Sequence, residues 1–325
     1  MNHLVQVKNL SIHIQTRKRT LCAVEDISFD IREGEILGIA GESGSGKSLT
    51  ALSIAGLLGN NISASGNIAY NGKNMLALGE SELQRIRGKE IAMIFQEPFT
   101  SLNPLVKVGA QIAETLELHG EKDKAVVKAK VASLMERLSL PANLTEAYPH
   151  QLSGGMCQRV MIALAVICRP RLLIADEPTT ALDFATQSQI ITLMKEVSRE
   201  MGTSILFISH DLSLLKNFCD RLLVMYCGRI LEEGAALEVF SRPAHEYTRS
   251  LLESIPGRDS RGKDLAAIPG KVPSLEEGRP AGCPFHPRCA KAGPRCAGGE
   301  FPAARAVSLA VSGTHTTRCV LWEGQ

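Results

Sequence analysis

The chain has 325 residues, of which 44% are apolar and 22% charged, and its 36 Lys plus Arg against 34 Asp plus Glu leave a net charge of +2. At roughly 150 residues per domain this length predicts two domains, or one large domain with an appendage, and so ordinary a composition excludes fibrous and disordered classes. The small net charge excludes a general electrostatic grip on nucleic acid, so no nucleic-acid partner is expected and any phosphate binding must be local.

The start, MNHLVQVKNLSIHIQTRKRT, has no apolar run behind a basic head, so no secretory signal is expected. The longest apolar stretch, 160–168, is nine residues, about half of the ~20 needed to span a bilayer. A membrane role is therefore expected only through a partner. Nine cysteines in such a chain imply a reducing compartment, with thiols free or metal-bound rather than paired.

The apolar runs 36–40, 91–95, 172–175 and 205–208 have the length and texture of strands buried on both faces, which predicts a parallel sheet. Helical segments lie between them; Val127, Val131, Leu134 and Leu138, for example, share one helix face. This alternation predicts an α/β fold. Directly after the first run comes GESGSGKS, 41–48, followed by a helical run at 49–58. That is the P-loop pattern in its required strand-to-helix context. Its glycines let backbone N–H groups turn inward toward an anion, and the next helix presents its positive end to the same place. The nucleotide candidates are Gly41, Ser43, Gly44, Ser45, Gly46, Lys47, Ser48 and Leu49. Lys47 is expected to meet the β- and γ-phosphates and Ser48 to ligate Mg²⁺.

Further along, LSGGM at 152–156 sets Ser153, Gly154 and Gly155 at the start of a helix expected over 156–168, a second anion-receptive terminus or simply a Ser cap. LLIADEP at 172–178 ends a buried strand in two carboxylates. Asp176 is expected to hold Mg²⁺, directly or through water, and Glu177 to polarise a water for attack on the γ-phosphate.

With Gln96 in FQEP, Ser153 24 residues before Glu177, TALD at 180–183 and His210 in ISHD, the set resembles an ATP-binding cassette (ABC) ATPase over residues 1 to about 240. The resemblance implies a cassette with a parallel core sheet, an antiparallel β subdomain and a helical subdomain at about 97–160. It also implies a head-to-tail dimer, with ATP between the Lys47 loop of one cassette and the Ser153 loop of another. Gln96 would touch the nucleotide site, with Mg²⁺, and the membrane subunit; Asp183 would lie at the dimer seam; His210 would meet the γ-phosphate. Glu177, His210 and Gln96 are thus the expected catalytic set. Residues 1–28 lack the aromatic ring usual against adenine, with His13 or Leu21 as substitutes, and Cys157 stands where arginine or glutamine is common.

Composition changes near residue 241. The last 85 residues hold nine of 15 prolines, ten of 28 glycines and four of nine cysteines, which predicts a helix and a loop-rich extension over 241–325. HEYTRSLLESIP at 245–256, IPGKVPSL at 268–275 and GCPFHPRC at 282–289 are similar to the C-terminal extension of dipeptide and oligopeptide importer ATPases. The implied function is an ATP hydrolase peripheral to the cytoplasmic face of the membrane. Its implied partners are two transmembrane permeases, a second cassette subunit, paralogous and so heterodimeric, and indirectly an extracytoplasmic peptide-binding protein. A nickel or other small-solute importer, or a soluble non-transport cassette ATPase, is the alternative. Cys283, Cys289, Cys296 and Cys319, separated by five, six and 22 residues, lack the paired spacing usual for zinc. The resemblance implies a [4Fe–4S] cluster there, while zinc or unliganded thiols remain the other readings. Since every nucleotide candidate precedes residue 211, ATP hydrolysis is expected to survive replacement of Cys289 or Cys296 by Ser. The other five cysteines read as ordinary buried or half-buried residues.

Overall fold

A computed structural model describes residues 2–180, 182–255, 267–310 and 313–322. Met1, Ala181 of TALD and Pro256 of the 245–256 run lie outside the described residues. In chain order the elements are β1 (His3–Gln15), β2 (Thr20–Arg32), β3 (Ile36–Ala40), α1 (Lys47–Ile54), β4 (Ile62–Tyr70), β5 (Lys73–Asn74), α2 (Glu80–Ile86) and β6 (Ile91–Ile94). Next come α3 (Pro98–Ser101), α4 (Val108–Leu118), α5 (Lys124–Arg137), α6 (Gly154–Val166), β7 (Leu172–Asp176), α7 (Phe184–Met201) and β8 (Ser204–Ile208). The chain continues through α8 (Leu212–Phe218), β9 (Arg221–Tyr226), β10 (Arg229–Ala235), α9 (Ala236–Ser241), α10 (Glu246–Glu253), α11 (Pro294–Ala297), β11 (Arg305–Ala310) and β12 (Gly313–Thr317). The four expected strands are β3, β6, β7 and β8, each within a residue or two of its predicted bounds.

Two compact units result: Met1–Leu4, Ile31–Glu35 and Ala77–Phe207 form the first, and Val5–Asp30, Ile36–Leu76 and Ile208–Gln325 the second. In the first unit the strand order is β8-β7-β6, with β6 and β7 parallel. β7 and β8 are buried along their whole length, which is why their sequences run apolar without alternation. Helices α4, α5 and α6 also belong to this unit. On α5, Val127, Val131, Leu134 and Met135 form the buried stripe, and Asp123 caps its start by accepting from the Ala125 and Val126 N–H groups. On α7, Ile190, Leu193, Met194 and Val197 are buried, and Gly202 ends the helix at φ +67, where a side chain would be strained.

The second unit contains an antiparallel sheet of order β2-β1-β4-β5 and a set of order β11-β12-β10-β9-β3, in which β3 and β9 are parallel. The C-terminal extension, loop-rich by composition, is tied in by more than loops. β12 pairs antiparallel with β10, Glu232 opposite Thr317. The buried Glu232 carboxylate accepts from the Ala244 N–H at 2.8 Å, the His245 N–H at 2.9 Å and His315 Nε2 at 2.7 Å. A buried carboxylate needs such donors, because leaving one unmet costs ~1–3 kcal/mol. Glycine and proline counts do not reveal this, since the donors come from residues up to 83 positions away.

His245 is fully enclosed; its Nδ1 accepts from the Tyr247 N–H at 3.1 Å, and burial pushes its pKa from 6.5 down to about 4, against the opposing charges of Glu232 and Glu246. The unfolded chain therefore takes up a proton first as pH falls. His245's contribution is fully present above about 6.5 and is lost down to about 4, by roughly 3 kcal/mol for this one group. Urea unfolding across this window should show that loss, and His245→Asn, which keeps an acceptor for Tyr247, should flatten it.

Candidate nucleotide site

In the second unit, β3 delivers the chain into the glycine loop. Gly41, Gly44 and Gly46 have φ of +149°, +78° and +97°. A Cβ on Gly41 would lie 2.2 Å from the Met225 carbonyl oxygen, and one on Gly46 would lie 2.8 Å from Val24 Cγ2. Only glycine permits this course. The loop is pinned from outside by the Gly228 N–H, which donates to Ser45 O at 3.0 Å. Lys47 is only 5% exposed; its Nζ donates to Gly41 O at 2.8 Å, Glu42 O at 2.9 Å and Ser45 Oγ at 3.4 Å. These bonds curl the side chain back over its own loop. Gly46 starts α1 with no side-chain cap, so the N–H groups of the first turn face the loop, as anion binding requires. Ser43, Gly44 and Ser48 are exposed, Leu49 is half-buried and Ser45 is buried. His210 is exposed just ahead of Asp211, which caps α8 by accepting from the Ser213 and Leu214 N–H groups. His13 and Leu21, both half-buried, lie on β1 and β2.

In the first unit, β7 ends at Asp176, 8% exposed, and the next residue, Glu177, has φ +48°. A non-glycine residue held there is strained and over-determined by its surroundings. Those surroundings are explicit: Glu177 Oε2 accepts from Gln96 Nε2 at 3.0 Å and from Thr180 Oγ1 at 3.1 Å. Two candidates 81 positions apart, Gln96 and Glu177, thus share a hydrogen bond. Ser153 caps α6, its Oγ accepting from the Met156 N–H at 3.4 Å; α6 begins at Gly154, two residues before the predicted start. Asp183 caps α7 by accepting from Thr186 N–H at 3.0 Å and Thr186 Oγ1 at 2.8 Å, bonds that hold its carboxyl below the usual range. A Cβ on Gly155 would stand 2.7 Å from Thr186 Cγ2, so this glycine lets the starts of α6 and α7 approach closely. A cavity of about 790 Å³ in the same unit is lined by Lys89, His119, Lys130, Arg137, Cys168 and Arg169 among others, and none of the motif residues lines it.

In the extension, Cys283, Cys296 and Cys319 are buried and Cys289 half-buried. Burial pushes the Cys283 thiol up to about 12, with repulsion from the Cys319, Cys296 and Cys289 thiolates adding to it. Burial also raises Cys289 and Cys319. Among the described residues no group of three or more His, Cys, Asp or Glu side chains is gathered as a metal site. Cys157, Cys219 and Cys227 are buried and Cys22 and Cys168 half-buried, as expected. No helix among the described residues is long and apolar enough to cross a membrane.

Fold and motifs together define an ATP-binding cassette. The ABC transporter family model matches residues 24–180, and the model of the oligopeptide/dipeptide transporter C-terminal region matches 231–296. The oligopeptide transport ATP-binding protein OppD of Haemophilus influenzae is 46% identical, covering 91% of this chain and 92% of its own. OppD of Salmonella typhimurium is 47% identical over 89% and 86%, and the dipeptide transport ATP-binding protein DppD of Escherichia coli 42% over 90% and 90%. A solved dimeric ATP-binding cassette in a post-hydrolysis state, bound to ADP and Pi, superposes with a TM-score of 0.65 at 28% identity, covering 71% of this chain and 98% of that one. The chain belongs to the family of ABC transporter ATP-binding proteins, in the peptide-transport branch defined by these relatives.

Gly41→Ala should force the loop away from Met225 and destabilise the chain by about 1–3 kcal/mol, lowering the thermal midpoint and weakening ATP binding together. Gly44→Ala, where a Cβ meets nothing within 4 Å, should cost only the backbone strain and melt closer to the native protein.

Proposed function

We propose that this chain hydrolyses ATP to drive the import of di- or oligopeptides through partner membrane permeases. The observation that carries the reading is likeness across the whole molecule: identity to peptide-transport ATP-binding proteins extends over 91% of the chain, and the extension has its own match at 231–296. The cassette takes residues 1 to about 240 and the extension 241–325. The loop residues Gly41, Ser43, Gly44, Ser45, Gly46, Lys47, Ser48 and Leu49 hold the ATP phosphates, supported by the uncapped start of α1 and by an ammonium already resting on loop oxygens. ATP meets Ser153, Gly154, Gly155 and Asp183 of an opposing cassette, a paralogue, on the cytoplasmic face of the membrane. An extracytoplasmic binding protein delivers the peptide. His210 contacts the γ-phosphate.

Asp176, Ser48 and Gln96 offer hard oxygen donors of the kind Mg²⁺ prefers, and the ion, when bound, neutralises charge on the β- and γ-phosphates. Glu177 orients and polarises the attacking water. Its bonds from Gln96 and Thr180 support this, because they fix where the carboxylate points. In the assembled transporter, Glu177→Gln should keep ATP binding but lose phosphate release and peptide uptake about a hundredfold or more, whereas Lys47→Ala should weaken ATP binding itself. Native turnover by the Gln variant would remove Glu177 from the role.

The four extension cysteines are proposed to hold an iron–sulfur cluster. Their support is four mostly buried thiols near enough to raise one another's proton affinity, a set that ionises readily only beside a compensating cation. Anaerobically purified protein should be brown, with iron and sulfide near about four each per chain. Stoichiometric zinc without iron would replace the cluster by a structural zinc site, and metal-free protein would leave the thiols unliganded.

A further inference from the structure

Glu42, the second residue of the glycine loop, is where the C-terminal extension meets the nucleotide machinery inside the second unit. Its carboxylate receives a forked pair of bonds, from Arg288 Nη1 at 2.7 Å and Nη2 at 3.0 Å. Its backbone N–H donates to the Tyr247 hydroxyl at 2.9 Å. Its backbone carbonyl, on the other side, accepts from Lys47 Nζ. The Arg288 side chain is itself enclosed, 5% exposed, and anchored by its Nε to Pro269 O at 2.9 Å and by Nη1 to the Tyr226 hydroxyl at 3.3 Å. Phe285 stands edge-on to Tyr226, with ring centroids 5.5 Å apart, and 5.1 Å from Tyr247. The same scaffold reaches the cysteines: Arg288 precedes Cys289, and His245, whose Nδ1 takes the Tyr247 N–H, lies with Nε2 3.6 Å from Cys283 Sγ.

We propose that the C-terminal extension braces the phosphate loop, with Arg288 as a positioning residue that acts through Glu42 to fix the carbonyl oxygens on which Lys47 rests. The inference rests on the phosphate-binding role given to that loop above. A guanidinium fork sets the plane as well as the position of the carboxylate it grips, which a single hydrogen bond or a lysine cannot do. With side chain and N–H both held by the extension, the peptide between residues 41 and 42 has one orientation, and with it the seat of the Lys47 ammonium. Through this brace, changes at Cys283 or Cys289 have a short mechanical route to the nucleotide loop.

A double-mutant cycle on the full-length chain tests this, reading the Kd for Mg-ATP by calorimetry and the thermal midpoint alongside. Arg288→Lys should fold and raise Kd about tenfold, Glu42→Gln should do the same, and the double variant should be no weaker than the worse single change. A role in stability alone would lower the midpoint and leave Kd within about twofold of native, and that result overturns the proposal, as would single effects that multiply. Should Arg288→Lys fail to fold, Tyr247→Phe removes only the acceptor for the Glu42 N–H and is judged by the same Kd criterion. Lys47→Ala separates the two levels. Native ATP affinity in that variant would sink the phosphate-loop reading and the brace with it, whereas lost affinity beside an unchanged Arg288→Lys would sink the brace alone.

Discussion

The second unit is arranged around a buried ammonium. Lys47 sits at the start of α1 with little access to solvent, where an uncompensated charge costs several kcal/mol. The carbonyl oxygens of Gly41 and Glu42 compensate it, and they can do so only because the glycines take backbone angles closed to other residues. Much of what surrounds the loop serves that curl: β3 and β9 run parallel beneath it, Gly228 pins Ser45, and the extension grips Glu42. The ammonium is thus held desolvated and aimed within the loop.

The first unit solves a different problem, the placing of an acid. Glu177 follows a wholly buried strand and would, unsupported, swing freely from the strand end. Its left-handed backbone and the bonds from Gln96 and Thr180 restrict that freedom. Gln96 follows β6, the strand paired with β7 in register, and this register brings a residue 81 positions away to the carboxylate. The caps at Ser153 and Asp183 show one side chain serving two ends, since an oxygen that closes a helix start in the resting chain also marks where the positive end of that helix emerges.

The extension shows how a proline- and glycine-rich segment becomes ordered without a separate core. It contributes two strands to an existing sheet, a histidine to the buried Glu232 carboxylate, and Tyr247 and Phe285 to an aromatic cluster with Tyr226 of β9. Each contact joins it to residues far earlier in the chain. The segment is therefore ordered by the unit it joins rather than by its own composition.

The sequence alone determined the strands β3, β7 and β8, because burial on both faces demands unbroken apolar runs, and it determined the glycine loop, because few backbones other than glycine turn N–H groups onto an anion. It determined the candidates Lys47, Asp176, Glu177 and Ser153 through the chemistry that follows from their places at strand and helix ends. Tertiary structure decided what local pattern cannot encode. Glu42 occupies a variable position of the loop motif, and Arg288 sits among prolines 246 residues away; neither carries a periodicity or spacing that links it to the other. Their ion pair, like the meeting of Gln96 with Glu177 and of Glu232 with His315, joins segments distant in the chain, and that meeting is a property of the folded chain, not of any window of its sequence.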